Sequence, residues 1–238
     1  MDDDPGVISF VLPAYDEERQ LPRTLSALHA AAGDCGEPYE VVVVDDASSD
    51  RTAEIAEANG ARVVRVAHRQ IAATRNSGAR AARGDRLVFV DADTRIDATV
   101  LRAALDAMRA GAVGGGAGVR FDGWVPLYAR IVTPMLVAVF RLTRYACGCF
   151  VYCTRAAFEA AGGFDEGLYG SEELAFSRML KRLGRFVVLE EAVTTSGRKL
   201  RSYSGWEILR MLFGLAIRGP GSVRSRRGME FWYGERRA

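Results

Sequence analysis

The sequence has little lysine, few cysteines and no long hydrophobic run. Lysine occurs only at positions 181 and 199, so arginine carries nearly all of the positive charge, and the net charge of the 238-residue chain is only +2. A charge this small argues against nucleic acid as a partner of the whole chain. The longest apolar stretch, residues 131–140, contains Pro134 and is shorter than the roughly 20 residues that span a bilayer.

The amino terminus lacks the basic region and apolar core that mark a secretory signal. We therefore expect a cytoplasmic, reducing location, where the four cysteines would be free thiols. Positive charge is nevertheless concentrated at one end of the chain, because residues 198–238 include ten basic and three acidic residues.

Strand patterns alternate with helical patterns through the first half of the chain, which predicts a largely parallel sheet. Three of the strand patterns end in acidic segments. Residues 7–12 lead into Pro13-Ala14-Tyr15-Asp16-Glu17-Glu18, residues 41–44 into Asp45-Asp46, and residues 86–90 into Asp91-Ala92-Asp93. Because open α/β folds bind ligands outside the carboxyl ends of their strands, we expect these side chains to share one site.

Asp91 and Asp93 are the most informative pair. They are hard oxygen donors one residue apart, and such donors suit a divalent ion that also binds phosphates. The alternative is that acids at strand ends only cap the helices that follow. This alternative fits Asp50 and Asp97 better than it fits the three strand ends together.

The second half of the chain is less regular. Residues 111–121 are glycine-rich and predict a strand with close backbone approach rather than a phosphate loop. Residues 124–145 predict a helix interrupted at Pro134, and Ser171 is expected to cap a helix over residues 172–183. Gly84 is expected to close the helix over residues 71–83. An amphipathic helix is predicted for residues 206–217, before a basic tail.

Six motifs, taken in order, resemble those of the family-2 glycosyltransferases. They are residues 11–18, 44–52, 75–79, 91–94 and 162–166, and the acidic pair Glu172-Glu173. The resemblance implies an α/β GT-A fold, which is a Rossmann-like, mixed, mostly parallel central sheet flanked by helices, here with a C-terminal helical extension. It implies a GT-A domain over 1–204, with a nucleotide-sugar half (1–110) and an acceptor half (111–204). The amphipathic helix and basic tail would occupy 205–238.

The resemblance also implies an inverting transferase that uses a UDP- or GDP-sugar donor and Mn²⁺ or Mg²⁺. Tyr15 would cover the base, Asp46 would bond the base edge, and Arg75 would lie near the base or the diphosphate. Asp93 would be the direct metal ligand, with Asp91 beside it. The other residues expected to bind the nucleotide sugar are Pro13, Ala14, Glu17, Asp45 and Ala92.

The acidic pair departs from the family pattern, in which the second member is an aspartate. Here the general base would be Glu173, next to Glu172 and one methylene longer. A base of this kind takes the acceptor proton while the bond to the leaving diphosphate breaks. The competing interpretation is that two acids in a first helical turn only favour the helix dipole. The dipole also lowers a carboxyl pKa, so a base at Glu173 requires burial to offset it.

Three other classes stay open at this point. A phosphatase of the haloacid dehalogenase type also uses an Asp-x-Asp motif, but Arg95 stands where that motif has Thr or Val. A sugar-phosphate nucleotidyltransferase would need a glycine-rich loop after the first strand, and a non-catalytic carbohydrate-binding relative would keep the fold alone. The acceptor is a saccharide, a lipid-linked molecule or a small molecule. The basic C-terminal segment either contacts an anionic membrane peripherally or packs on its own sheet.

Overall fold

The computed structural model describes residues 6–202, 206 and 224. Strands and helices alternate through the first half of the chain, as predicted. In chain order the elements are β1 (Ile8–Ala14), α1 (Leu21–Cys35), β2 (Tyr39–Asp46), α2 (Thr52–Ala58), β3 (Arg62–Val66), α3 (Ile71–Ala81), β4 (Arg86–Val90), β5 (Thr94–Arg95), α4 (Ala98–Arg109), β6 (Ala112–Phe121), α5 (Leu127–Thr143), β7 (Phe150–Thr154), α6 (Arg155–Ala161), α7 (Glu172–Leu183), β8 (Arg185–Thr195) and α8 (Arg198–Ser202).

Within the described residues, the strands form one eight-stranded sheet in the order β3-β2-β1-β4-β7-β6-β8-β5. Strand β1 pairs in parallel with β2 and β4, and β2–β3 and β6–β8 are also parallel. Strand β7 runs antiparallel to both of its neighbours, and β5 runs antiparallel to β8. The predicted mixed, mostly parallel sheet flanked by helices is confirmed.

Apolar side chains fill both faces of the sheet, which explains the continuous hydrophobic runs of β1, β2 and β4. On one face, Phe10 and Leu12 of β1 pack in a core with α1 and α4. On the other face, Val11 packs with residues of α3, α6 and α7. Successive side chains of a strand point alternately into these two cores. Both sets of side chains can therefore be apolar until the strand reaches the carboxyl edge of the sheet.

Helix α3 approaches the sheet closely through Gly78. A Cβ atom at Gly78 would lie 2.4 Å from Cγ1 of Val11 and 2.6 Å from Cγ2 of Val44. A larger residue would therefore push the helix away from β1 and β2. The glycine keeps the amino-terminal end of α3 beside the strand ends, where the candidate site lies.

Two local predictions about helix ends were wrong. Helix α3 ends at Ala81, and Gly84 instead lies against β1, where its N–H donates to Ser9 Oγ at 2.8 Å. A Cβ at Gly84 would lie 2.3 Å from the carbonyl oxygen of Val7, so close packing rather than capping requires the glycine. Ser171 precedes α7 with a φ of 58°, and its side chain makes no capping hydrogen bond.

Helix α5 is continuous through Pro134, contrary to the predicted interruption. Proline removes the hydrogen bond to the carbonyl of Arg130, but both residues are exposed, so water can bond that carbonyl. The predicted cap of α4 is confirmed, because Oδ1 of Asp97 accepts from the backbone N–H groups of Thr99 and Val100 at 3.0 Å each. The helix predicted over 206–217 lies outside the described residues except for Trp206.

Candidate active site

A cavity of about 480 Å³ opens at the edge of the sheet where β1, β2 and β4 end. The structure brings nearly all of the residues predicted from the sequence to this cavity. The predicted residues that line it are Pro13, Ala14, Tyr15, Glu17, Asp46, Arg75, Asp91, Ala92, Asp93, Glu172 and Glu173. Asp45 is the exception: its side chain is buried, and its Oδ1 accepts from the N–H of Ser48 at 3.2 Å.

The guanidinium of Arg75 connects the Asp-x-Asp motif to the acidic pair. Its Nη1 donates to Oε1 of Glu172 at 2.7 Å, and its Nη2 donates to Oδ1 of Asp91 at 2.9 Å. Nη2 also donates to the carbonyl of Gly148 at 2.6 Å. The first turn of α7 and the end of β4 are therefore held together by one side chain on α3.

Arg75 is also among the most buried side chains of the protein, with 1% of its surface exposed. Burial alone would lower the pKa of Arg75, but the charges of Asp91 and Glu172 outweigh it and raise that pKa above its ordinary value. The guanidinium carbon lies 5.3 Å from the ring centroid of Phe164. Arg75 is thus a permanent buried cation in the wall of the cavity, and its hydrogen bonds go to two carboxylates and one backbone carbonyl.

Glu173 lies beside this network, half-buried, against Gly148. A Cβ at Gly148 would lie 3.3 Å from Cδ of Glu173, so the glycine leaves room for the carboxyl group. Burial raises the pKa of Glu173 well above its ordinary value, and the charge of Glu172 raises it further, against a smaller opposite effect of Arg75. Burial therefore does offset the lowering expected from the helix dipole. A carboxyl group with a raised pKa is better suited to hold a proton than an ordinary exposed one.

Asp91 and Asp93 occupy a tight turn at the end of β4. The N–H of Asp91 donates to the carbonyl of Cys149 at 3.1 Å, and the N–H of Thr94 donates to the carbonyl of Asp91 at 2.9 Å. The backbone of Asp93 is fixed from the other side, because its carbonyl accepts from the N–H of Ser196 at 3.1 Å. Both carboxylates line the cavity from a backbone that is hydrogen-bonded on three sides.

Asp46 holds the start of α3. Its Oδ1 accepts from the N–H of Arg69 at 2.8 Å, and its Oδ2 accepts from the N–H of Gln70 at 3.2 Å and from Oγ1 of Thr74 at 2.9 Å. Both carboxylate oxygens thus serve the helix terminus. The expected bond from Asp46 to a nucleotide base stays a prediction, and it would have to share these oxygens.

Tyr15 lies under an arginine that the sequence did not single out. The guanidinium carbon of Arg69 is 3.6 Å from the centroid of the Tyr15 ring, a close cation–π contact. Arg69 has a φ of 51° and immediately precedes the cap of α3. The expectation that Tyr15 covers a base stays a prediction, with Arg69 as a second flat group at the same wall.

The loop over residues 162–168 is tied to α3 by two amide side chains. Asn76 donates to the carbonyl of Phe164 and accepts from its N–H, both at 2.9 Å. Gln70 donates to the carbonyls of Glu166 and Leu168 at 2.6 Å and 2.8 Å. The motifs 75–79 and 162–166 therefore contact each other, and together they position the start of α7 and its acidic pair.

Arg198 is the other residue in contact with the site that the sequence did not single out. Its Nη2 donates to Oδ2 of Asp93 at 3.0 Å and also to Oε1 of Glu17. Burial tends to lower the pKa of Arg198, but the bonds with Glu17 and the charge of Asp93 raise it overall. The sequence offered Arg198 only as one member of a basic cluster, and nothing local distinguishes it from the others.

The sequence profile described as Glycosyl transferase family 2 matches residues 9–160. The chain belongs to this family. The match includes the strand ends with Asp46 and with Asp91 and Asp93, whereas Glu172 and Glu173 lie beyond it. Membership excludes the haloacid dehalogenase interpretation of the Asp-x-Asp motif.

Curated relatives are similar to part of the chain. The undecaprenyl-phosphate 4-deoxy-4-formamido-L-arabinose transferase of Pseudomonas aeruginosa (strain LESB58) is 39% identical over 99 residues, which cover 37% of this chain and 28% of that enzyme. The protein of the same name from Pectobacterium carotovorum (strain PC1) is 46% identical over 55 residues, covering 23% of this chain and 17% of the relative. The chain thus matches less than a third of the length of either relative.

Solved structures share the fold. The mannosyltransferase PcManGT from Pyrobaculum calidifontis, in complex with GDP-Man and Mn²⁺, superposes with a TM-score of 0.69 at 21% identity, covering 91% of this chain and 66% of that one. S. aureus TarS 1–349 in complex with UDP-GlcNAc gives a TM-score of 0.62 at 22% identity, covering 86% and 64%. Identities this low establish a common fold alone, and the expected GT-A fold is confirmed.

Proposed function

We propose that this protein transfers a glycosyl group from a nucleotide-diphosphate sugar to an acceptor oxygen, with inversion and with a divalent cation. One observation carries the proposal: Arg75 bonds both Asp91, at 2.9 Å, and Glu172, at 2.7 Å. The residues suited to hold a diphosphate and the residues suited to activate an acceptor are therefore fixed at one cavity. A single displacement with inversion needs these two functions on opposite sides of the sugar.

The carboxylates fit Mn²⁺ or Mg²⁺ as a shared ligand of protein and donor. Among the described residues, no group of three or more His, Cys, Asp or Glu side chains is arranged to hold a metal ion by itself. Two carboxylates completed by diphosphate oxygens and water are nevertheless a common arrangement for these hard cations. Asp93, with Asp91, would hold the cation, which would neutralise charge growing on the leaving diphosphate. UDP- and GDP-sugars remain equal candidates, since PcManGT was solved with GDP-Man and TarS with UDP-GlcNAc.

Glu173 is the proposed general base. Its raised pKa favours holding a proton taken from an acceptor hydroxyl, whereas a phosphate acceptor would arrive already ionised and would not need this base. Glu172 acts through another group: its bond to Arg75 fixes the first turn of α7 and thereby the position of Glu173. Loss of the charge of Glu172 would also lower the pKa of Glu173, because the two carboxyl groups repel each other.

A lipid-linked acceptor is the proposed acceptor class, because the curated relatives are undecaprenyl-phosphate transferases by name. No helix within the described residues is long and apolar enough to cross a membrane. Membrane contact through the C-terminal segment, the domain boundary at 204 and a cytoplasmic location stay predictions. The first two of these predictions depend on the residues after Ser202, and those residues lie almost entirely outside the described part of the chain.

A binding panel followed by a transfer assay tests the proposal. Thermal unfolding with UDP, GDP and their sugars, each with and without Mn²⁺, should reveal one base whose stabilisation requires the metal. The same donor should then yield a product of inverted anomeric configuration with undecaprenyl phosphate or with a saccharide acceptor. If the donor binds only with the metal but no tested acceptor gives a product, the result would instead support a non-catalytic carbohydrate-binding protein.

Glu173→Gln separates the proposed base from a merely structural acid. If Glu173 accepts the acceptor proton, the substitution should lower the turnover rate about a hundred- to ten-thousand-fold while the donor still binds. Glu159→Gln, an exposed glutamate on α6, is the matched control. The assay uses a saccharide acceptor, because a phosphate acceptor is already ionised and needs no base. Near-normal turnover of Glu173→Gln with the saccharide acceptor would refute the role of Glu173 as base.

A further inference from the structure

Helix α5 presents an apolar stripe to solvent. The stripe consists of Leu127, Ile131, Met135, Val139 and Leu142, spaced three or four residues apart on one side of the helix, and each is exposed. Exposure reaches 86% at Leu142, and Trp124, just before the helix, is 71% exposed. Ala129 is the one residue of α5 that is buried. Five exposed apolar side chains along one side of a single helix are typical of a binding surface rather than of an ordinary protein exterior.

Polar contacts from other sides of α5 hold the helix on the domain, so that the stripe faces outward. The hydroxyl of Tyr128 donates to the carbonyl of Leu200 at 3.4 Å, and Arg141 donates to the carbonyl of Glu190. Near the carboxyl end, Nζ of Lys181 donates to the carbonyl of Thr143 at 2.9 Å. The orientation of the helix is therefore set by groups that do not belong to the apolar side.

Positive charge predominates around α5. Residues 123–158 contain no aspartate or glutamate, while Arg130, Arg141 and Arg144 are all exposed. Arg120, Arg130 and Arg141 also line a groove of about 510 Å³ between α5 and strands β6 and β8. Glu190 is the one acid that lines this groove beside the three arginines. An apolar stripe bordered mainly by arginines complements a surface that is apolar inside and anionic at its boundary. A bilayer with anionic headgroups has this composition.

The length of α5 decides how it would meet such a surface. Its 17 residues extend roughly 25 Å, less than the hydrocarbon thickness of about 30 Å, and Arg130 and Arg141 lie within it. The helix therefore suits an orientation in the plane of the headgroups, with the stripe directed into the acyl region. A second copy of the chain is a poorer occupant, because pairing two stripes would bring like-charged arginines together.

The same helix forms part of the wall of the candidate active site. Leu136 and Phe140 line the cavity that contains Asp91, Asp93 and Glu173. Leu136 is also exposed, so the apolar surface continues from the outer stripe to the cavity. An acceptor headgroup at a bilayer under α5 would thus have a short apolar path to the site.

We propose that α5 docks the protein on an anionic lipid bilayer, in the plane of the headgroups, with the cavity facing the lipid. The docking itself stands on the exposed stripe and its arginines. That the bilayer supplies the acceptor rests in addition on the proposed function. Vesicle binding needs neither donor nor acceptor, so a failure of docking and a failure of the transferase proposal give different results.

Co-sedimentation of the full chain with vesicles at low salt tests the docking. Equimolar phosphatidylcholine and phosphatidylglycerol vesicles should pellet the protein, and pure phosphatidylcholine should do so much less. The combined variant Leu127→Ser, Ile131→Ser, Met135→Ser should fold normally, because these side chains are exposed, and should lose most of the binding. Arg130→Gln and Arg144→Gln should each weaken it roughly fivefold.

The matched control is Met179→Ser with Leu183→Ser, which removes exposed apolar side chains from α7 instead. It should bind vesicles like the unmodified chain. Unchanged binding of the α5 variant would overturn the proposal and assign any vesicle contact to another part of the chain. Negligible binding of the unmodified chain would overturn it too. In that case light scattering would show whether the chain forms a dimer through the stripe. Such a dimer would be absent from the α5 variant.

Discussion

Nη2 of Arg198 lies 3.0 Å from Oδ2 of Asp93, and the same guanidinium contacts Glu17. Glu17 follows β1 and Asp93 follows β4, and both therefore bond the same guanidinium of α8. They lie 181 and 105 positions before Arg198 in the sequence. Asp93 is the carboxylate expected to bind a divalent ion, so the arginine and the ion would interact with the same group. The affinity of the proposed site for the divalent ion should therefore depend on the position of the Arg198 guanidinium.

Arg198→Gln should raise the affinity for Mn²⁺ in the absence of nucleotide. Removing the positive charge beside Asp93 relieves competition and repulsion, and the gain should be roughly two- to fivefold, the size of a partly exposed ion pair. Calorimetric titration with Mn²⁺ alone measures it. Arg201→Gln is the control, because Arg201 lies on the same helix but pairs with Asp122. An unchanged or weaker affinity would show that Arg198 does not restrict the ion.

Arg75→Met should lower the free energy of unfolding by about 3–5 kcal/mol, because it leaves the buried carboxylate of Glu172 and the carboxylate of Asp91 without their shared cation. Urea unfolding compares it with Arg80→Met, which removes an exposed arginine from the same helix and should change stability by less than about 0.5 kcal/mol. If Arg75→Met does not fold, Arg75→Lys should fold with an intermediate loss. A loss below about 1 kcal/mol would refute the role of Arg75 as the connection between α3, β4 and α7.

Glu173→Gln should make the protein progressively more stable than the unmodified chain as the pH rises. The folded pKa of Glu173 is raised above the unfolded value of about 4.3. Below the unfolded pKa, Glu173 is neutral in both states and does not lower the free energy of unfolding. As the pH rises towards the folded pKa, the free energy of unfolding falls, because burial disfavours the charged carboxylate. Urea unfolding from mildly acidic to mildly alkaline pH measures the difference, with Glu159→Gln on exposed α6 as the control. A stability difference that does not grow with pH would contradict the burial of this carboxyl group.

The strand ends and their shared edge could be predicted from the sequence because both depend on local patterns. Residues 86–90 are continuously apolar since β4 is covered on both faces, and parallel pairing brings its end beside those of β1 and β2. Asp91, Asp93 and Tyr15 follow from that geometry. Capping by Asp97 was likewise readable, because its partners are two and three residues away.

The connections across the site could not be predicted, because they depend on tertiary distance. Arg75 and Glu172 are 97 positions apart, and nothing in an alanine-rich helix indicates that its arginine will be fully buried. The continuity of α5 through Pro134 depends on solvent reaching the carbonyl of Arg130, which the sequence pattern does not encode. Gly84 was assigned to a helix end because the neighbouring strand that crowds it was unknown.

The most direct test of the account is a transfer assay with the full chain and Asp93→Asn. The donor selected by the binding panel is supplied with Mn²⁺ and with undecaprenyl phosphate in anionic vesicles, and a saccharide acceptor is tested in parallel. We predict a glycosylated product of inverted configuration from the unmodified chain and from Asp106→Asn, an exposed control on α4. We predict no detectable product from Asp93→Asn, which should still fold. Equal turnover by Asp93→Asn in excess chelator, or retention of the donor's configuration, would contradict the account.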